Sequence, residues 1–248
     1  MDRMIWTAVS GMSASMARQR MIASNMANAQ TIGFRAEIMQ FTPMTLEGPS
    51  LEVRAMSDAQ VRGARMDAGV MTETGRPLDV ALQGDDILLA VQGSDGTEAY
   101  TRRGDLSVSA NGLLVNGEGV PMLGDNGPIS LPPGSDVSIG PDGAVLVRDR
   151  TNLEAPPQKV DALKLANWRG SRIDKGLDGL FRVVGGGVLP GDPAARLTSG
   201  TLEQSNVRPS QVLIEMVEAQ RLYDMRTKLI STAKDLDEGG ASLMRITG

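Results

Sequence analysis

Apolar residues at both ends of the chain recur at alternating steps of three and four. This spacing is typical of the contact seam of a coiled coil. Near the start the repeat consists of Ile5, Val9, Met12, Met16, Gln19, Ala23 and Met26. Near the end it consists of Leu213, Met216, Gln220, Tyr223, Thr227 and Ile230. Each segment would extend about 42 Å as a helix of about 28 residues. We therefore predict two helices of matched length that pack on each other and on neighbouring molecules through these stripes.

The pattern changes between residues 73 and 200, where short apolar runs alternate with turn signals. Asn111-Gly112, Asn116-Gly117, Asp142-Gly143 and Asp178-Gly179 favour the positive φ angles of tight hairpins. Twenty-three of the twenty-nine glycines lie between residues 63 and 200. The pattern predicts an all-β body, either a barrel or a sandwich.

The predicted fold class is therefore α+β, with a coiled-coil-like inner domain built from 1–33 and 201–248. Residues 34–72 are expected to form an extended connector, and 73–200 the β-rich outer domain. Asn28 or Gly33 would take the left-handed conformation at the end of the first helix. Ser205-Asn206 would cap the last helix, Pro209 would occupy its first turn, and Gly239-Gly240 would break it.

Composition excludes several classes of function. The net charge is −5 and the basic residues are scattered, which argues against nucleic-acid binding. The chain has no Cys and no His, so we expect no zinc site of the usual kind, no cofactor and no imidazole catalysis. No apolar run reaches 18 residues, and the first residues lack a cleavable secretory signal. We expect a protein that does not span a membrane and has no small-molecule substrate.

Several polar residues allow two interpretations. Asn25 and Asn28 could serve recognition, but local hydrogen bonds at a helix end are the simpler reading. Asp85-Asp86 could suggest a carboxylate pair, but adjacent strand residues point to opposite faces, which favours a solvated turn. Gln19 and Gln220 interrupt the stripes and are either tolerated surface residues or residues that fix the helix register.

Motifs at both ends and in the middle carry a family resemblance. Residues 23–35 resemble the N-terminal signature of the flagellar axial proteins, and 199–207 resemble their C-terminal signature. Residues 77–84 and 100–104 are similar to the family's β-domain motifs, and 216–223 to its closing helix. The family-motif residues are Asn25, Asn28, Thr31, Gly33, Leu202, Glu203, Ser205 and Asn206. The sequence departs from the family's usual residues at 85–88, at 224–226 and at 237–240.

The resemblance implies a structural subunit of the flagellar basal-body rod, without enzymatic activity. Its opening residues and single β domain are most similar to a proximal rod subunit, with a distal rod subunit as the alternative. The implied partners are copies of itself, other rod proteins and the flagellar type III export apparatus, and the implied location is the periplasmic rod. Phe34 and Ile38 fit a short pattern that an export gate could read.

Two other classes of function are alternatives to a rod subunit. A cell-wall glycan hydrolase needs two placed carboxylates, and the thirty Asp and Glu residues could supply a pair by chance. The scarcity of aromatic residues argues against a glycan cleft. An adaptor or adhesin would have little need for two paired terminal stripes. We also expect both ends to be largely disordered in the free monomer and to fold on assembly.

Overall fold

A computed structural model describes residues 2–45, 55–149 and 156–246, which form two helices and eighteen strands. The helices are α1 (Asp2–Ala27) and α2 (Pro209–Ile246). The strands are β1 Glu37–Thr45, β2 Ala55–Ala64, β3 Met71–Glu73, β4 Val80–Leu82, β5 Ile87–Gln92, β6 Glu98–Thr101, β7 Ser107–Val108, β8 Leu114–Val115, β9 Leu123–Gly124, β10 Gly127–Pro128, β11 Ser135–Ile139, β12 Ala144–Asp149, β13 Gln158–Ala162, β14 Leu165–Asn167, β15 Ile173–Lys175, β16 Phe181–Val183, β17 Leu197–Ser199 and β18 Thr201–Glu203.

The chain divides into two compact units. The helical unit comprises Met1–Ala27, Glu37–Arg62 and Arg208–Gly248, and the β unit comprises Asn28–Ala36 and Gly63–Val207. The mixed α and β class is confirmed, with a central β region between two terminal helices. The stretch that we predicted as an extended connector contains β1 and β2, which pair with each other. Neither helix, over its described residues, has a segment apolar enough to cross a membrane.

The ends of the helices differ in part from the predictions. α2 begins at Pro209 as predicted, but it continues through Gly239 and Gly240 to Ile246, so the predicted break is wrong. A helical glycine costs only about 1 kcal/mol, which the rest of a 38-residue helix tolerates. Of the two proposed left-handed residues, Gly33 has φ +67°, whereas no non-glycine residue of the described chain has positive φ.

The β unit is built from antiparallel sheets. A five-stranded sheet has the order β14-β5-β6-β16-β15, and a three-stranded sheet has the order β11-β12-β13. Smaller pairs join β4 to β17, β3 to β18, β7 to β8 and β9 to β10. The pairs β17–β4 and β18–β3 bring the C-terminal motif beside strands from the start of the β unit.

Strand β5 is apolar on both faces and divides the core in two. Leu89 and Val91 point into a large cluster, and Leu88 and Ala90 point into a smaller one that includes Tyr100. Side chains alternate along a strand, so a continuous apolar run such as Ile87–Gln92 needs a cover on each face. This is why the run lies in the interior of the five-stranded sheet.

Most of the predicted glycine turns are confirmed. Gly112, Gly143 and Gly179 have φ angles of 78°, 83° and 77°. The turn at Asn116 differs, because Gly119 rather than Gly117 has positive φ, at 80°. Gly117 serves close packing instead, since a Cβ there would lie 2.0 Å from the Asp105 Oδ2 atom.

Candidate functional site

The two terminal helices contact each other within the helical unit, and their buried face differs from the predicted stripe. The most buried side chains described on α1 are Ser15, Ile22 and Asn25, and those on α2 are Val212 and Ala219. Each of the five precedes a stripe residue by one position, which is about 100° around a helix. Ser15 and Ala219 are small and allow close approach, whereas Ile22 and Val212 are apolar residues one position away from the predicted stripe. The stripe therefore lies beside the contact between the helices.

The stripe residues line an open groove between α1 and α2. The groove has a volume of about 500 Å³ and is lined by Met16, Gln19, Ile22, Ala23, Met216, Ala219, Gln220, Tyr223 and Asp224. Met12 is half-buried, and Leu213 and Met216 are exposed. Met26, Tyr223 and Ile230 are half-buried. Ile5 and Val9 belong to α1, but their side chains lie outside the described part of the structure. An accessible apolar surface therefore follows the predicted stripe.

Arg226 joins the helices at a point that the sequence analysis did not select. Its Nη1 atom donates to the Gly11 carbonyl oxygen and to the Ser15 Oγ atom. A hypothetical Cβ on Gly11 would lie 3.7 Å from the Arg226 guanidinium, in ordinary van der Waals contact with it. Gln19 and Gln220 line the groove instead. We infer that Arg226, through these contacts between described residues, helps to fix the register of the helix pair.

Replacing Arg226 with methionine is expected to lower the helix content and the melting temperature of the helical unit. The change keeps most of the apolar stem and removes a charged donor whose hydrogen bonds contribute about 1.5–3 kcal/mol. Circular dichroism at the helix band measures the effect while the self-associated protein is heated, because we expect the helices to be ordered only after assembly. Arg221→Met is the control, because Arg221 is exposed on the same helix. Equal effects of the two variants would contradict the proposed role of Arg226.

A second site lies in the β unit, where Glu203 at the end of β18 binds two arginines. The Arg102 Nε and Nη2 atoms donate to Glu203 Oε2 at 2.9 and 2.7 Å, and Arg35 Nη1 lies 2.5 Å from Glu203 Oε1. All three side chains are at most 1% exposed. Burial lowers the pKa of Arg102, whereas the Glu203 carboxylate opposes that shift. The carboxylate is thus essential for holding two cations in the interior.

Backbone groups complete this cluster. The Gly69 N–H donates to Glu203 Oε1 at 2.8 Å, and the Gly33 N–H donates to the Glu203 carbonyl oxygen at 2.7 Å. Arg102 Nη1 donates to the carbonyl oxygens of Gly84 and Ile87, both at 2.7 Å. One glutamate therefore ties together the N-terminal motif, the C-terminal motif and both β-domain motifs.

Asn206 extends the same junction. Its Oδ1 atom accepts from the Ala36 N–H at 2.7 Å, and its Nδ2 atom donates to the carbonyl oxygens of Arg65 and Asp67, both at 2.8 Å. The prediction that Ser205-Asn206 cap α2 is therefore wrong, because the Asn206 side chain is fully used elsewhere. Ser205 Oγ accepts from the Val207 N–H at 3.2 Å in a local turn.

The remaining motif residues make shorter-range contacts. Asn25 bonds the backbone N–H and C=O of Glu37 at 2.8 and 3.0 Å, within the helical unit. That contact pairs a helix with β1 and is less local than we predicted. Thr31 Oγ1 donates to Asn28 Oδ1 at 3.1 Å, which agrees with a local role for Asn28. Leu202 is buried in the β unit.

The candidate export residues differ in exposure. Phe34 is half-buried, with the Lys175 Nζ atom 3.4 Å from its ring centroid. Lys175 Nζ also donates to the Arg35 carbonyl oxygen at 2.9 Å. Ile38 lies on β1 and is exposed. Phe34 belongs to the β unit and Ile38 to the helical unit.

Carboxylates in the described residues do not gather with other metal ligands in groups of three or more. Asp85 and Asp86 form the predicted turn, where Trp168 Nε1 donates to the Asp85 carbonyl oxygen at 3.1 Å and Arg169 pairs with Asp86. Sequence reasoning missed Arg102 and Arg35 as site residues. The signal in the sequence was their place within the motifs at residues 23–35 and 100–104.

The middle of the chain forms a β unit, and the two terminal helices contact each other in a helical unit. Three stretches match known families: residues 5–35 match the flagella basal body rod protein family, 81–147 the D1 domain of the flagellar hook protein FlgE/F/G family, and 198–243 the C-terminal region of the flagellar basal body rod FlgEFG proteins.

Whole-length relatives agree with these matches. The chain is 40% identical to the flagellar basal-body rod protein FlgF of Salmonella typhimurium, over 98% of each chain. It is 41% identical to the protein of the same name from Escherichia coli, over 95% of each chain. It is 30% identical to the flagellar basal-body rod protein FlgG of Bacillus subtilis, over 99% of this chain and 100% of the relative. The chain belongs to the flagellar basal-body rod protein family.

Proposed function

We propose that this protein is a structural subunit of the proximal rod of the bacterial flagellar basal body. Its terminal helices form a coiled-coil-like inner domain that assembles helically with neighbouring subunits, and its β unit forms the outer domain. The observation that supports this most directly is the open groove lined by the stripe residues, including Met16, Ala23, Met216 and Tyr223. An apolar surface at a helix pair is characteristic of a site for a further helix.

The role is mechanical, and the proposed partners follow from it. The chain packs against copies of itself and other rod proteins in the periplasm, forming part of the torque-transmitting shaft and of the export channel wall. An open helical assembly needs two different surfaces on each subunit, because identical surfaces close into dimers. The family comprises structural rod proteins, which supports a role without catalysis.

Replacing Met216 with glutamate is expected to abolish motility, because a buried charge in a helix contact costs several kcal/mol. The same result is expected for Met12→Glu on the other helix. Swimming in soft agar and electron microscopy of purified basal bodies measure the effect in a strain lacking its own copy of the gene. Leu177→Glu is the matched control, since Leu177 is a fully exposed apolar residue of the β unit. Normal motility and normal rods in both methionine variants would refute the assembly proposal.

Deleting the gene and imaging the basal bodies distinguishes a proximal rod subunit from the alternative, a distal rod subunit. If the protein is a proximal subunit, we expect basal bodies of the deletion strain to have no rod beyond the base. An intact proximal rod that lacks only its distal part would favour the distal assignment. The higher identity to the proteins named FlgF than to the protein named FlgG supports the proximal position.

Export through the flagellar type III apparatus, without cleavage of a signal, is part of the same proposal. Phe34 and Ile38 are the candidate gate signal. Because Phe34 is partly covered by Lys175 in the folded β unit, a gate would read it in the unfolded chain. Phe34→Ala is expected to lower the amount of secreted subunit at unchanged cellular amount, measured by immunoblot. Phe181→Ala controls for the general loss of an aromatic side chain.

The order of the chain ends before assembly stays a prediction. We expect weak hydrogen-exchange protection of residues 5–26 in the free monomer, because isolated helices are marginal in water. Strong protection of this segment in dilute monomer would show that α1 is already stable before any partner binds.

A further inference from the structure

Three Asn-Gly dipeptides lie at turns of the β unit, at Asn111-Gly112, Asn116-Gly117 and Asn126-Gly127. In such a dipeptide the backbone nitrogen of the glycine can attack the side-chain amide carbon of the asparagine. Glycine favours this attack because it has no Cβ to obstruct the approach and its backbone turns freely. The three dipeptides are chemically identical, so only their surroundings in the fold can make one of them more reactive than the others.

The side chain of Asn116 is held in place. It is 1% exposed, and its Oδ1 atom accepts from the Glu118 N–H at 3.0 Å and from the Val120 N–H at 2.9 Å. A Cβ on Gly117 would lie 2.0 Å from the Asp105 Oδ2 atom, so a neighbouring side chain packs closely on the glycine as well. Attack on Asn116 would require both hydrogen bonds to break, and burial makes that loss costly.

Asn111 is exposed, but the glycine that follows it is held. The Gly112 N–H donates to the Ser109 carbonyl oxygen at 2.9 Å, and the Gly112 carbonyl oxygen accepts from the Leu131 N–H at 2.7 Å. A Cβ on Gly112 would lie 2.9 Å from the Leu131 carbonyl oxygen. The attacking nitrogen is therefore occupied, and the backbone on its other side is fixed to a neighbouring segment.

Asn126 has neither restraint. It is exposed, and its side chain makes no hydrogen bond within the part of the chain that the structure describes. A Cβ on Gly127 would meet no heavy atom within 4 Å. Strand β10 pairs with β9 through two residue pairs, one of which contains Pro128, a residue with no N–H to donate. A hairpin this short opens at low cost, which frees the Gly127 nitrogen.

We propose that Asn126-Gly127 is a site of spontaneous deamidation in the folded protein. The Gly127 nitrogen gives up its proton and forms a bond to the Asn126 Cγ atom, while the Cγ–Nδ2 bond breaks and ammonia leaves. The product is a five-membered succinimide ring. Water then opens the ring at Cγ, which gives aspartate, or at the backbone carbonyl carbon, which gives isoaspartate. The reaction consumes water, releases ammonia and involves no oxidation or reduction.

Either product changes the β9–β10 turn. Each adds a carboxylate next to Asp125, and isoaspartate also adds a methylene group to the backbone. The two-residue connection Asp125-Asn126 sets the register of this hairpin, so a longer backbone no longer matches the pairing of Gly124 with Gly127. Neither product returns to asparagine on refolding, so the modified fraction increases with the age of each molecule. The proposal does not depend on the rod assignment.

Incubation of the full-length protein in mildly alkaline buffer tests the site. Fragment-ion mass spectrometry locates each deamidated residue, and methyl transfer by an isoaspartyl methyltransferase detects isoaspartate. Asn126 is expected to deamidate about tenfold faster than Asn111 or Asn116, the ratio that corresponds to ~1.4 kcal/mol, which is close to the net contribution of one hydrogen bond. In urea that unfolds the β unit, the three sites are expected to react at similar rates, because all three lose their surroundings.

Asn126→Gln is the matched control. It keeps the amide but requires a six-membered ring, so we expect no mass change at position 126 and unchanged rates at Asn111 and Asn116. Equal rates at the three sites of the folded protein, or a faster reaction at Asn111 or Asn116, would overturn the proposal. A preference for Asn126 that persisted unchanged in urea would show that the fold does not select this site, and would overturn it as well.

Discussion

Replacing Glu203 with glutamine is expected to destabilise the β unit by about 3–5 kcal/mol, because it leaves Arg35 and Arg102 buried without their counter-charge. The shape of the side chain is kept, so the loss reports the charge. A typical domain has only about 5–15 kcal/mol of stability, and the variant would be unfolded at moderate urea. Urea unfolding followed by Trp168 fluorescence measures the change, in a Trp6→Phe background that removes the second tryptophan.

Glu118→Gln is the matched control. Glu118 also pairs with an arginine, since Arg103 Nη1 lies 2.7 Å from its Oε1 atom, but its side chain is 47% exposed. Water screens such a pair, and the expected loss is below about 1 kcal/mol. If Glu203→Gln cost no more than Glu118→Gln, the buried cluster would not hold the junction.

Removing one of the two buried cations tests whether unpaired charge is the cause of the stability loss in Glu203→Gln. Arg35→Met added to Glu203→Gln is expected to recover part of the lost stability, because one buried charge is then replaced by an apolar chain of similar length. A further loss in the double variant would show that Arg35 stabilises the unit through packing rather than through its charge pair.

Replacing Gly33 with alanine is the second change with a large expected effect, roughly 2–4 kcal/mol of stability. Gly33 has φ +67°, and a Cβ there would lie 2.5 Å from the backbone carbon and oxygen atoms of Arg102. Backbone atoms cannot move aside as a flexible side chain can. A displacement of the Gly33 backbone that relieved this clash would also disturb the hydrogen bond from the Gly33 N–H to the Glu203 carbonyl oxygen. The urea titration described for Glu203 measures the loss.

Gly75→Ala isolates the contribution of the backbone conformation. Gly75 has φ +72°, close to that of Gly33, but a Cβ there would meet no heavy atom within 4 Å. The expected loss is about 1 kcal/mol, from the positive φ alone. The difference between the two variants gives the cost of the close approach to Arg102. Equal losses would mean that packing at Gly33 has no part in its role.

Motif reading located the junction at Glu203 without showing what the junction does. Gly33, Glu203 and Asn206 were selected because they belong to two motifs at opposite ends of the chain. Arg102 lies in a third motif and Arg35 closes the first, yet neither was selected. An arginine in a sequence is ordinarily a surface residue, and only burial turns it into a group that needs a carboxylate.

Local patterns in the sequence were enough to predict the two terminal helices, the start of α2 at Pro209, the glycine turns at Gly112, Gly143 and Gly179, and the central β region. These features depend on backbone preferences over a few residues, which a sequence contains in full. Tertiary structure alone decided which face of each helix is buried and which charges meet in the interior. Ser15 and Ala219 are small enough to lie at the helix contact, and Arg35 pairs with Glu203, which lies 168 positions later in the chain. Both outcomes depend on how distant segments pack against each other. A local hydrophobic repeat contains no information about that packing.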